Sequence, residues 1–504
     1  MSPMRRATVR ALLATTVALA LATLPSVALA DQGLPLDRAA VFRTHVPHLN
    51  SASGGGGAAG LTAVQSGAKA FFSGTGYAVG STITPTTTRP EAEEHIAVDP
   101  SNSAKLVAAI SDFSLREGSN TTKFAVSANN GAHWTESFVP LNESGSPVTG
   151  DGQTWPFNSD PVVAIDRAGR VFLADLYFHD AGFDGSNANG LYVSVGSVGS
   201  LTNENLGFTV ASTIAVATNP SSTTNISEDK EWIAVDNSVG APAAGGNVYV
   251  CWTRFIGNSD LIVFARSTDH GASWSSAPLR ISPPAQDGAV QGCQVAVGLA
   301  GKVYVAYEVF FVGGKRQHLL AKSNDFGLSF STPAAATQLF NEVSFNSTYR
   351  KNSFASLAAG PNGNVYMVYA DQRGKSGAEV EFTASTNGGT SFTAPVIIND
   401  SSAGQQFMPA LTVDSSGVIH ASWFDTRLSP KKTALYDIFA TSSTDGGGTF
   451  RPNARVTAAT VDAGLARFIG DYAGIAAGGR SAHPVWTSGG FNNGSLQTAT
   501  LTLP

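Results

Sequence analysis

Glu93 with Glu94, Asp160, Lys230 with Glu231, Asn352, and Asp471 with Tyr472 stand just before or within the start of short apolar runs, in a chain with only 13% charged residues. A second set stands near the end of the run that follows each of these: Asp112, Tyr177 with His179 and Asp180, Arg254, Glu308, Asp371 with Arg373, and Asp425 with Arg427. Tyr349 and Arg350 fall in a loop between two such runs. Carboxyls, phenols and an imidazole can transfer protons or attack an electrophilic carbon, and guanidinium groups offer the paired N–H donors that hold a carboxylate with two bonds. On residue type, Tyr349 or a carboxylate such as Glu231 is the candidate nucleophile, Asp160 the acid/base and His179 a further proton carrier. Arg254, Arg373 and Arg427 are the candidate clamp for an anionic group, with Arg350, Asp371, Asp425, Asp471 and Tyr472 as further binding positions.

Each position also has a scaffold reading. Asp371-x-Arg373 and Asp425-x-Arg427 occupy equivalent places in consecutive units, as an ion pair that serves the framework would. Asp160 and Asp471 are placed to anchor strand ends. His179 is followed by DAGFDGSNANG, whose composition is that of a surface loop and whose spacing lacks the regular ligand pattern of an EF-hand, so no metal or cofactor is predicted. Cys251 and Cys293 read as a structural disulfide or as two buried thiols, with no nucleophile relay nearby.

The elements that must position these groups are repeats. Five turns share the pattern Ser-x-Asp/Asn-x-Gly-x-x-Trp/Phe: SANNGAHW from Ser127, STDHGASW from Ser267, SNDFGLSF from Ser323, STNGGTSF from Ser385 and STDGGGTF from Ser443. The last four start at intervals of 56, 62 and 58 residues, the signature of a repeat array. Seven short apolar runs, HIAVD, VVAID, WIAVD, QVAVG, SLAAG, ALTVD and GIAAG, are each followed by a second, such as VFLADLY, VYVCWTR or VYVAYEV. Near-continuous Val, Ala and aromatic runs suit strands buried on both faces. A third strand leads into the Ser-Asp turn and a fourth leaves it, so each unit is a four-stranded meander. Unit two carries a degenerate turn near Ser194, and unit seven stops after its third strand, leaving Tyr77–Thr84 as the segment predicted to complete it. The starts of first strands and the ends of second strands then converge on one face, and the Ser-Asp turns fall on the other.

The five turns resemble the Asp-box, or BNR repeat, of the sialidase-like β-propellers. The resemblance covers about residues 75–504 and implies an all-β Asp-box propeller, here with seven four-stranded blades (six as the alternative) closed by an N-terminal strand. It implies a glycan-active protein. One form is a glycoside hydrolase, such as a sialidase, acting on an acidic or decorated sugar; another is a uronate lyase in which a Tyr and His179 move protons. A third is a non-catalytic propeller that binds a glycan or protein. The Phe/Tyr-Arg-Ile-Pro motif of sialidases does not occur in this sequence.

Residues 1–30 read as a signal peptide: Arg5 and Arg6, an apolar run from Ala11 to Leu24, and Ala28-Leu29-Ala30 as a small-residue cleavage site. Residues 31–66, with SASGGGGAAG, read as a flexible leader, and 67–504 as the propeller. The expected product is secreted, without a membrane span, and monomeric. A net charge of −6 excludes a basic footprint for nucleic acid. Two cysteines in so long a chain leave stability to a large core.

Overall fold

A strand with one wetted face alternates apolar and polar residues, and the second strand of each unit does not. In Val248–Ile256, the run Val248, Tyr249, Val250, Cys251 and Trp252 is buried throughout, and Val303–Phe311 is built alike. Such strands need cover on both faces, which a ring of stacked sheets provides for every unit at once. The computed structural model of the protein shows that ring, with seven four-stranded blades. It describes residues 67–86, 91–116, 119–142, 144–179, 186–199, 206–221, 225–238, 246–257, 259–311, 314–373, 377–464, 468–489 and 494–504; the expected signal peptide and leader lie outside these.

The innermost strands of blades 1 to 7 are Glu91–Asp99, Phe157–Ile165, Ile226–Val235, Val290–Val297, Ser356–Ala359, Gln406–Val413 and Gly474–Gly478. Where an aspartate ends the run, its carboxylate ties the turn to the second strand: Asp166 Oδ1 accepts from the N–H groups of Ala168 and Arg170, both at 2.9 Å. An inner strand exposes one edge to the axis side, and side chains of the preceding blade satisfy part of it. Leu357 N–H donates to Gln294 Oε1 at 2.8 Å, and Leu411 N–H to Ser356 Oγ at 2.9 Å.

The Ser-Asp turns join third to fourth strands. In blade 3, Gly271 N–H donates to Ser267 Oγ at 2.8 Å and Ser273 N–H to Asp269 Oδ1 at 2.9 Å. The same pair of bonds recurs in the turns at Ser127, Ser323, Ser385 and Ser443. Each turn glycine lies against the preceding blade: Gly271 on Phe172 and Val195, Gly327 on Phe264, Gly389 on Leu320, Gly447 on Phe382, and Gly131 on His483 of blade 7. The turns therefore join neighbouring blades as well as strands. Ser194 does not form such a turn. It lies inside the third strand of blade 2, Asn189–Ser197, bonded to Thr213 Oγ1 at 2.9 Å, and the fourth strand is reached through a short 3-10 turn capped by Thr209.

The N-terminal stretch closes the ring. Ala78–Val79 pairs antiparallel with Leu501–Thr502 as the outer strand of blade 7, and Ile83 bridges to Thr498. Before that, Ala68–Lys69 lies parallel to Val396–Ile397 of blade 5 and Phe71–Phe72 parallel to Thr449–Phe450 of blade 6, so this stretch is a belt over three blades. Tyr77 from the belt shares a 2.6 Å hydrogen bond with His420 Nδ1 of blade 6. Cys251 and Cys293 form a disulfide joining blades 3 and 4, with Cα atoms 6.2 Å apart. Among the described residues no helix is long and apolar enough to cross a membrane.

Candidate functional site

Five of the seven first strands carry a bulge that aims one residue at the axis. Their register shifts between Ala92 and His95, Ser159 and Val162, Asp229 and Trp232, Gln291 and Gln294, and Phe407 and Ala410. A bulge leaves its extra residue unpaired and re-aims the side chain. The residue concerned has positive φ: Glu93 65°, Asp160 65°, Lys230 54°, Gly292 67° and Met408 47°. For an L-residue this conformation costs about 1–2 kcal/mol. Each of these lies six residues before the Asp or Gly that ends the run, and the same offset gives Phe354 and Tyr472 in the two blades without a bulge.

Lys230, Gly292, Phe354, Met408 and Tyr472 line an axial cavity of about 20 Å³, with Trp232, Asn352 and Asp471 also in its wall. Gly292 is required there: a Cβ would stand 2.4 Å from the Phe354 ring, which reaches across toward the axis. At this position Phe354, Met408 and Tyr472 thus fill the blade 5 to 7 side, and the charged side chains Glu93, Asp160 and Lys230 stand on the blade 1 to 3 side.

On that side Glu93 and Asp160 hydrogen-bond each other through their carboxyls, which requires a shared proton. Burial, then the charge and hydrogen bond of Asp160, hold Glu93 well above the usual carboxyl range. Asp160 is fixed further by Ser159 Oγ at 2.6 Å and, through its own N–H, by Ser111 Oγ at 3.0 Å. Lys230 Nζ lies 3.6 Å from the centroid of the Tyr472 ring, and burial lowers its pKa against the opposing pull of Asp471, Glu93, Asp160 and Asp229. The Tyr472 hydroxyl donates to Pro161 O at 3.2 Å; burial and the charges of Glu93, Asp160 and Glu231 push it well above the usual phenol range. Arg350 grips Asp471 with two bonds, Nε to Oδ1 at 2.8 Å and Nη2 to Oδ2, and Asn352 donates to Asp471 O at 2.8 Å. Glu231 is buried with neither carboxyl oxygen hydrogen-bonded among the described residues, and burial, then Asp160, raises its pKa well above the usual range.

The structure thus brings together Asp160, Glu231, Arg350, Asp471 and Tyr472 from the sequence-predicted set. The other predicted residues whose side chains are described lie apart. Tyr349 points the opposite way from Arg350, into the core between blades, stacked on Phe407 at 5.9 Å and edge-on to Tyr436 at 6.1 Å. His179 follows the second strand of blade 2, Arg170–Phe178, with its ring 5.5 Å from Trp155 and away from the axial cavity. Arg254 is held by Glu228, with Nε to Oε1 at 3.0 Å and Nη2 to Oε1 at 2.6 Å. Arg427 bonds Asp425 Oδ2 at 2.8 Å through Nε and Asp400 Oδ1 at 2.5 Å through Nη1. Asp425 also accepts the indole N–H of Trp423 at 2.9 Å, and Asp371 accepts Asn341 N–H at 3.0 Å. Arg373 ends its strand, and its side chain is not among those described. Glu93 and Lys230 belong to the cluster although residue type alone assigned them no role; the six-residue offset from the turn Asp or Gly is the signal that finds them.

No known protein-family profile matches the sequence, and no curated protein matches it. The fold is similar to solved structures at low identity. A Dyadobacter fermentans protein of unknown function is 13% identical, with a TM-score of 0.47 over 85% of this chain and 100% of that one. A Trypanosoma rangeli sialidase in complex with the inhibitor DANA is 12% identical, with a TM-score of 0.41 over 82% of this chain and 55% of that one. An alpha-L-arabinofuranosidase of Fusarium graminearum in complex with arabinobiose is 13% identical, with a TM-score of 0.44 over 77% of this chain and 98% of that one.

Proposed function

We propose that this chain is an exported glycan-active hydrolase whose reaction centre is the axial carboxyl cluster. The observation that carries the reading is the contrast between blades. The same bulge holds Gly292 in blade 4 and Met408 in blade 6, so the scaffold does not need charge at this position. Blades 1, 2 and 3 nevertheless place Glu93, Asp160 and Lys230 there, in a strained conformation and buried. Strain and buried charge gathered at one point favour a functional role.

A proton-sharing carboxyl pair suits general acid–base chemistry. The pair donates its proton to the glycosidic oxygen as the C–O bond breaks, and the carboxylate left behind takes a proton from the water that adds to the anomeric carbon. The pair is then restored. Tyr472, Lys230 and the Arg350–Asp471 pair border this reaction centre and orient the sugar. The N-terminal Arg5–Ala30 pattern supports export, and a secreted product beginning at Asp31 checks it.

A second reading, a propeller that binds a glycan without turning it over, is favoured by the small axial cavity, about 20 Å³. Turnover separates the two. The purified chain is offered sialosides, neutral aryl glycosides and uronate polysaccharides, following reducing ends and the ultraviolet absorbance of unsaturated products. Reducing ends alone, reduced about a hundredfold or more in Asp160→Asn and Glu93→Gln, are the expected result. Unsaturated products would make it a lyase, and silence across the panel would leave the binding propeller.

A further inference from the structure

The arginines that the sequence offered for binding and whose side chains are described already hold carboxylates of the protein: Arg254 and Arg427 of the expected clamp hold Glu228 and Asp425 with Asp400, and Arg350 holds Asp471. Lys230 does not. It is 5% exposed and lines the axial cavity, and its ammonium meets no hydrogen-bond acceptor or ion-pair partner within range among the described residues. Its surroundings are aromatic, with Tyr472 at 3.6 Å, Phe354 at 5.8 Å and Trp232 at 6.0 Å from Nζ to the ring centroids. Ring faces attract a cation but accept no conventional hydrogen bond, so a buried ammonium with three donors still lacks acceptors.

The cavity beside it, about 20 Å³, has room for one water-sized group. A hydroxyl fits that volume and can accept from Nζ. A carboxylate is larger, and it would meet Asp471, Asp229 and the single charge of the proton-sharing Glu93–Asp160 pair, three negative charges against the two positive ones of Lys230 and Arg350. Like charges at such range oppose entry. We propose that Lys230 is the specificity-determining donor for a hydroxyl of a neutral glycan, and that uronates and sialosides are not the substrates of this site. This rests on the axial cluster being the glycan site.

Calorimetric titration of the exported chain with arabinobiose and galactobiose as neutral probes, and with digalacturonate and sialyllactose as acidic ones, tests the proposal. Neutral probes are expected to bind at least tenfold more tightly than acidic ones, and Lys230→Met to weaken them about tenfold to a hundredfold. Acidic probes binding as well as neutral ones, Lys230→Met binding neutral probes unchanged, or no binding by any of the four would each overturn it. Should Lys230→Met fail to fold, the preference of the unmodified chain between the two classes decides. Neutral binding without any product would leave the substrate class standing and remove the hydrolase. Products from acidic glycans alone would keep the hydrolase and overturn the substrate class.

Discussion

Glu94 offers a measurable consequence of burying a carboxyl where the ring closes. It is wholly buried in blade 1 and accepts from Thr487 of blade 7, from the N–H at 2.9 Å and the hydroxyl at 2.6 Å. Burial nevertheless outweighs these bonds and pushes its pKa up from 4.5 to about 8. The folded chain therefore keeps a proton that the unfolded chain releases above pH 4.5, and stability falls as pH rises from there until the folded group itself ionises. Below pH 4.5 the penalty is absent; above about pH 8 it is at its full value. Between pH 5 and 8 the loss integrates to about 3.5 kcal/mol from this one group. Glu94→Gln keeps a carbonyl acceptor for Thr487 and cannot titrate. Unfolding in urea, followed by tryptophan fluorescence at pH 5, 6.5 and 8, should show the variant gaining on the parent by about 3.5 kcal/mol across that range. Parallel pH profiles for the two proteins would refute the reasoning, because every other carboxyl is common to both.

Gly447→Ala should destabilise by about 2–4 kcal/mol, since φ there is +94° and a Cβ would stand 2.3 Å from the Phe382 ring of the neighbouring blade; a melting temperature unchanged from the parent would remove the turn's role in joining blades. Replacing Cys251 and Cys293 together by alanine opens a cross-link spanning 42 residues and should cost about 4 kcal/mol by the loop-entropy relation, read in the same urea titration against the oxidised parent.

The number of blades was legible because it depends on local chemistry that repeats. Each Ser-Asp turn needs its own glycine and hydroxyl, and each buried second strand its own apolar run. The site was legible only in part, for a different reason. Asp160, Asp471 and Tyr472 were found because they sit where strands begin on one face. Tyr349 and Arg350 are neighbours in a loop, and which of them faces the core depends on the path of that loop, which no residue in it announces. The pairing of Arg254 with Glu228 depends on the register across the bulge at Asp229 and Trp232, a one-residue matter that exchanges the faces of a strand. Glu93 and Lys230 resembled ordinary charged residues at strand ends until the bulges showed their side chains brought to a common axis.

The belt of residues 68–79 has a consequence for synthesis. Ala78 and Val79 leave the ribosome long before their partners Leu501 and Thr502, and Ala68–Lys69 and Phe71–Phe72 likewise wait for blades 5 and 6. The earliest-made strands of the propeller are thus the last to find their places, and the ring is closed only once Leu501 and Thr502 have been made. A product truncated before Leu501 would present Ala78–Val79 as an open edge, which gives quality control a simple mark by which to tell an incomplete chain from a whole one.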